Sequence, residues 1–194
     1  MSRPICIDDE VILKAAREVF LKRGFKAPSL QIAKRAGVSE GSLFKRFHTK
    51  TELFVCAMRL HEEDRRWMEE LKSGVGRVPV RRALRRAAEG ILNHVREMTP
   101  RIMALRASGI PKPDMAKIFG KEPPLLHVRA LTEYFHKESK LGRIHLRRPE
   151  IHAHAFLGSL VHFVFQKQVF GYEPCSQQEY ISQLMEIYVG GKIA

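Results

Sequence analysis

Residues 29–47 read Ser29-Leu30-Gln31-Ile32-Ala33-Lys34-Arg35-Ala36-Gly37-Val38-Ser39-Glu40-Gly41-Ser42-Leu43-Phe44-Lys45-Arg46-Phe47, two short helical patterns around one glycine. Ile32, Ala33 and Ala36 share one face of the first pattern. Gly37 stands where a left-handed residue ends a helix without a Cβ clash. Val38 is placed to plug the corner, and Ser39 to cap the second segment by accepting a backbone N–H. In that segment Leu43 and Phe47, four apart, lie on the buried side. Ser42, Lys45 and Arg46 face away. A helix whose outward side carries a glycine, a small hydroxyl and two cations suits a DNA major groove, because Gly41 admits a close backbone approach. The bland alternative is an amphipathic helical hairpin with a solvated basic face.

The flanking residues bear on that choice. Ile12-Leu13-Lys14-Ala15-Ala16 with Val19-Phe20 and Gly24-Phe25 precede the stretch, and Phe47 with Lys50 and Leu53-Phe54 follow it. Together with Ile32-Ala33 and Ala36 to Phe44 they stand in register. From Ile12 to Phe54 the chain resembles the N-terminal DNA-binding region of the tetracycline-repressor (TetR) family of bacterial regulators. The chain departs from the family pattern twice. Gly24 to Ile32 is one residue short, with Pro28 where a small polar residue is common, so no phosphate contact is carried over at that corner. Ser29 is the expected cap there, although Ile32 cannot complete a capping box. Phe44 replaces the usual tyrosine, which keeps its packing and loses a hydroxyl.

The net charge of +13 points to a polyanionic partner, nucleic acid or an anionic surface. Residues 1–50 hold eleven Lys or Arg against five acids. Hydrophobic residues at 44% and charged at 28% otherwise describe an ordinary globular chain. Cys6, Cys56 and Cys175 are far apart and odd in number, which fits a reducing cytoplasm. No signal peptide is expected, because Asp8-Asp9-Glu10 interrupts any apolar run. The apolar stretch Ala155 to Phe165 falls short of the ~18 residues of a membrane span, so no membrane is expected as partner.

Helical spacing continues along the chain. A first helix opens near Asp8 or Asp9. A fourth opens with the capping box Thr49-Lys50-Thr51-Glu52 and carries Leu53, Ala57, Leu60, Trp67 and Leu71, long enough to link two domains. Pro79 reads as the first residue of a fifth, with Leu84, Ala87, Ile91 and Val95 on one face. Pro100 is expected to interrupt it and start a short helix over Ile102 to Ala107. A proline- and glycine-rich loop, with one helical turn at Asp114 to Phe119, leads to Leu125, Val128, Leu131 and Phe135. From Glu150 to Phe170 the pattern is apolar nearly all round, and Ser176-Gln177-Gln178-Glu179 caps a last helix. The expected fold is all-α with about nine helices. An N-terminal three-helix helix-turn-helix DNA-binding domain spans residues 1–50, and an α-helical ligand-binding and dimerisation domain spans 51–194.

The resemblance implies a homodimer formed by the last two helices, a palindromic operator in double-stranded DNA and a small-molecule effector. Ser39, Lys45, Arg46 and Lys50 are the candidate phosphate contacts. Gly41 and Ser42 are the candidates for base edges, Lys45 can reach a guanine, and Phe44 a thymine methyl. Trp67, Met68, Met98, Met103, Met115, Phe119, Tyr134 and Phe135 offer soft apolar surface for an effector, or plain core. The basic second half leans toward an anionic or fatty ligand. The reading is a transcriptional regulator, a repressor released by its ligand.

Two other classes fit the residues less well. An enzyme finds little support: His152 and His154 face opposite ways on a helix, His61-Glu62-Glu63-Asp64-Arg65 lacks a second histidine, and no Gly-x-Ser-x-Gly or phosphate-binding loop is present. No catalytic site, metal or cofactor is therefore expected. A basic protein indifferent to DNA sequence is permitted by charge alone.

Overall fold

A computed structural model describes residues 8–58, 66–110 and 123–190, and they contain helices and no strand. The helices are α1 (Asp9–Arg23), α2 (Ser29–Ala36), α3 (Glu40–Arg46), α4 (Lys50–Met58), α5 (Arg66–Ser73), α6 (Val80–Ala107), α7 (Pro123–Lys140), α8 (Pro149–Phe170) and α9 (Gln177–Met185). A π-helical turn, Glu186–Gly190, follows α9. The described residues fall into two compact units, 8–58 with 100–110, and 66–99 with 123–190.

In the first unit, local capping chemistry sets the helix ends. Asp8 caps α1 by accepting from the Glu10 N–H at 3.3 Å. Gly37 ends α2 at φ 70°, a left-handed conformation that returns its N–H to the last carbonyls. Ser39 caps α3, accepting from the Ser42 N–H at 3.1 Å, and Thr49 accepts from Glu52 at 3.0 Å before α4. Ser29 does not cap α2. The helix begins on it, and Pro28 occupies the cap position without a side-chain bond, its ψ of 134° making it the last extended residue. The core joins Ile12, Ala16 and Phe20 of α1 to Ile32 and Ala33 of α2, Leu43 of α3, and Leu53 and Phe54 of α4. Phe54 packs edge-on against both Phe20 (4.9 Å) and Phe25 (5.1 Å).

In the second unit, α6 packs Leu84, Ala87, Ile91 and Leu92 against Leu131 and Phe135 of α7 and Phe156 and Leu160 of α8. Trp67 of α5 comes so close to α6 that a Cβ on Gly90 would stand 2.6 Å from the Trp67 Cβ, which explains a glycine in mid-helix. Glu138, fully buried, ties the turn before α6 to the end of α7. Its carboxylate accepts the Gly76 N–H at 2.9 Å and pairs with Arg143 at 3.3 Å, while Arg143 also donates to the Val78 carbonyl. Tyr188 lays its ring parallel to Phe135 (5.7 Å) and donates its hydroxyl to the His152 carbonyl at 3.1 Å.

Pro100 does not restart the chain: α6 runs unbroken through it. Proline removes the N–H that would reach the Arg96 carbonyl, and here the Gln168 side chain of α8 donates to that carbonyl at 2.8 Å instead. Pro79 precedes α6 rather than opening it, its carbonyl accepting from Ala83 at 3.0 Å. The long helix expected from Thr49 to Leu71 is described as α4 and α5, and residues 59–65 between them lie outside the described residues, as does the turn expected at Asp114 to Phe119.

The all-round apolar pattern of α8 has a structural counterpart. Pro149, Ala153, Phe156, Leu160, Phe163 and Val164 are buried. On the other side Ile151, Val161, Phe165 and Phe170 stand open, Phe170 at 71% exposure, with Ile187 of the π turn at 56%.

Candidate nucleic-acid interface

The exposed side of α3 is small at its start and cationic at its end. Ser39, Gly41, Ser42 and Lys45 are exposed, and Phe44, Arg46 and Lys50 are half-buried. Both chemistries lie on one helix of seven residues, and Leu43, fully buried, holds that helix to the unit's core.

Each candidate has a distinct environment. The Ser39 and Ser42 hydroxyls lie 2.8 Å apart, so one proton is spent between them and the other is left to offer outward, alongside free lone pairs. A Cβ on Gly41 would meet only the Ser39 Oγ, at 3.9 Å. The fold therefore has no internal reason for glycine here, where alanine would favour the helix more. Lys45 reaches into solvent. Arg46 donates to Asp9 at 2.8 Å, and the Lys50 ammonium sits 5.3 Å from the centre of the Phe25 ring. Two further cations of this unit are engaged within it: Arg35 pairs with Glu18, and Arg17 donates to the Ala57 carbonyl at 2.8 Å. The tie between Asp9 and Arg46 spans 37 positions and has no signature in the sequence.

Among the described residues of the second unit, those considered for an effector line two different cavities or none. Trp67 lines a polar cavity of about 570 Å³ with Glu70, Arg86, Asn93 and His94. The His127 ring stands 5.6 Å from Trp67 and 4.7 Å from His94. Met68 and Tyr134 line a second, more apolar cavity of about 360 Å³ between α5 and α7. Phe135 is fully buried in the core, Met98 is half-buried, and Met103, at 43% exposure, belongs to the other unit. Met115 and Phe119 lie outside the described residues. Sequence reasoning named Tyr134 but missed its neighbours Leu126, Arg129, Ala130, Glu133 and Lys137 on α7, whose three- and four-residue spacing was visible but mixes charged and apolar types. Among the described residues no group of three or more histidine, cysteine, aspartate or glutamate side chains is placed to hold a metal, and no helix is long and apolar enough to cross a membrane.

Comparison with known proteins agrees with this geometry. Residues 12–56 match the family model described as bacterial regulatory proteins, tetR family. Residues 82–190 match that of the AefR-like transcriptional repressor, C-terminal domain. The HTH-type transcriptional activator FasR of Mycolicibacterium smegmatis is 40% identical over 65 residues, a match that covers 33% of this chain and 27% of that protein. In overall fold the chain is similar to a putative TetR-family regulator from Mesorhizobium loti, with a TM-score of 0.68, 18% identity, and 91% of each chain covered. It is also similar to the regulator FadR of Bacillus subtilis, solved with stearoyl-CoA, with a TM-score of 0.66, 16% identity, and 95% of this chain and 99% of that one covered. With a helix-turn-helix at its start and a family-specific second domain matched over more than half its length, the chain belongs to the TetR family of bacterial regulatory proteins, DNA-binding regulators of transcription.

Proposed function

We propose that this regulator is a homodimeric, sequence-specific repressor that leaves a palindromic operator when a small molecule occupies its second domain. Residues 1–50 act as the DNA-binding domain and 51–194 as the ligand-binding and dimerisation domain, in the cytoplasm. The observation that carries the reading is Gly41, a glycine on the exposed start of α3 that the fold itself does not require. Gly41 and Ser42 meet base edges, Lys45 reaches a guanine, and Phe44 packs on a thymine methyl. Ser39, Lys45, Arg46 and Lys50 hold phosphates and set the register.

The open apolar side of α8, with Ile187 beyond α9, supports a two-fold dimer in which each copy covers the other. Two recognition helices then address half-sites about one helical turn, ~34 Å, or a multiple apart. Repression is the sense supported by the family model over residues 82–190. Effector control works by population shift, limited by the ligand's differential affinity for the form off DNA. That FadR of Bacillus subtilis was solved with stearoyl-CoA supports a small-molecule effector for this fold.

The test is selection of bound duplexes from a random pool by purified protein at near-physiological salt, with the number of chains per complex measured alongside. One enriched palindrome held by an even number of chains is expected. Uniform recovery of all sequences would leave a basic coater of DNA in its place.

A further inference from the structure

The cavity between α5 and α7 joins apolar walls to a charged rim. Met68, Val75, Leu126 and Ala130 give it apolar walls, which an aliphatic chain fills with a gain that water cannot match. Tyr134 closes one side. The residue is 1% exposed, yet its hydroxyl has no hydrogen-bond partner. An unmade bond of this kind is a standing cost, and native structures keep one where something else completes it. Burial holds the phenol protonated, well above the usual tyrosine range, so it offers a donor. The charges that act on it, Glu138 and Arg143, stand 3.3 Å from each other, and the Glu138 Oε2 itself makes no hydrogen bond.

The rim adds sign. Lys72 of α5 and Lys137 of α7 border the cavity, and neither is paired with a carboxylate among the described residues. Arg129, Glu69 and Glu133 complete the rim, so cations outnumber acids there. Lys137 follows Tyr134 by three positions on the same face of α7, which brings a cation and a donor together beside the apolar walls.

We propose that this cavity binds an aliphatic carboxylate, its chain along Met68, Val75, Leu126 and Ala130 and its head accepting from the Tyr134 hydroxyl beside Lys72 and Lys137. The regulatory meaning rests on the effector reading above; the binding itself does not.

The chain has one tryptophan, Trp67, which adjoins Met68 on α5, so its emission reports on this cavity. The full-length protein is titrated, without DNA, with hexanoate, octanoate, decanoate and decanol. Saturable binding is expected, each added methylene strengthening it about fourfold until the cavity is full. Decanoate should bind about tenfold tighter than decanol. Tyr134→Phe should weaken decanoate about tenfold and leave decanol within twofold. Ala130→Phe, which fills the walls, should abolish both, with a melting curve to check that this variant folds; Tyr134→Phe removes one oxygen and serves if it does not. Affinity independent of chain length, decanol binding as tightly as decanoate, or no effect of Tyr134→Phe would each overturn the assignment. Release of operator DNA by decanoate is read separately in the same preparation. Binding without release would leave the site standing and refute its use as the effector site, whereas release by some other compound, with no decanoate bound, would do the reverse.

Discussion

The Arg46 guanidinium donates to the Asp9 carboxylate at 2.8 Å, tying the end of α3 to the start of α1. The pair is solvent-exposed enough, at 32% and 62% side-chain exposure, to contribute little stability, at most about 1 kcal/mol. Its larger effect is on charge. Asp9→Asn removes one negative charge beside α3 and should raise affinity for all duplexes alike by several-fold. The plot of log affinity against log salt should steepen by about 0.9. Unchanged affinity and slope would remove Arg46 from the DNA surface.

Gly41 separates stability from binding. Gly41→Ala meets no clash within the protein and should stabilise it by up to about 1 kcal/mol in urea denaturation. The same change should weaken operator binding about tenfold or more, because the added methyl occupies the space of the approaching groove. If the variant binds as well as the parent, the glycine has no part in recognition.

Lys50 and Ser42 should differ in kind. Lys50→Ala removes a cation, so it should weaken every sequence by a similar factor and flatten the salt dependence. Ser42→Ala leaves charge unchanged and should alter the ranking among operator variants by about 1–3 kcal/mol at one position. Competition binding on a panel of single-base variants reads both. An equal loss on every site from the two substitutions would contradict the division of roles.

Gly90 makes the opposite prediction to Gly41. A methyl there would stand 2.6 Å from the Trp67 Cβ, on a residue 95% buried, and the indole cannot swing away without leaving the core. Gly90→Ala should cost about 1–3 kcal/mol and shift the tryptophan emission, against the gain that alanine brings to an unconstrained helix. A stabilised variant with unchanged emission would mean that α5 moves off α6 freely.

Tyr188 gives the fold an alkaline limit. Burial pushes its phenol from the usual 10.0 up to about 12. The unfolded chain therefore loses this proton first, and the stability it contributes is complete below pH 10 and is lost as pH rises toward 12. Tyr188→Phe removes that titration, along with the bond to the His152 carbonyl. The variant should be less stable at pH 8, and its stability should decline less between pH 10 and 12. Parallel declines in parent and variant would assign the alkaline loss to other groups.

What could be read from the sequence was local. Ser39, Thr49 and Ser176 cap their helices because a side-chain oxygen needs only a backbone N–H two or three residues on. The apolar faces of α1, α6 and α9 follow from spacing alone. The exposed face of α3 was legible for the same reason, since its residues share one short helix. Bonds between distant residues were not: nothing near Pro100 announces Gln168, nothing near Asp9 announces Arg46, and Gly90 looks like a weak point until Trp67 is seen against it. Met68 and Tyr134 were legible as soft apolar surface, but not that they share a cavity between α5 and α7, because its two walls come from stretches more than fifty positions apart, each of which reads as an ordinary mixed helix face.

The bridge from Gln168 to the Arg96 carbonyl also bears on the order of events in synthesis. When the ribosome has delivered Pro100, the residue that replaces its missing bond has yet to be made, 68 positions later in the chain. Until α8 emerges, α6 has an unsupported joint, and its two ends are free to form as separate segments. The nascent chain can thus bring α1 to α4 together before α6 becomes one rod, although the core they share is completed only when Leu105 of α6 joins it. A late-emerging glutamine sets the moment at which that rod is finished.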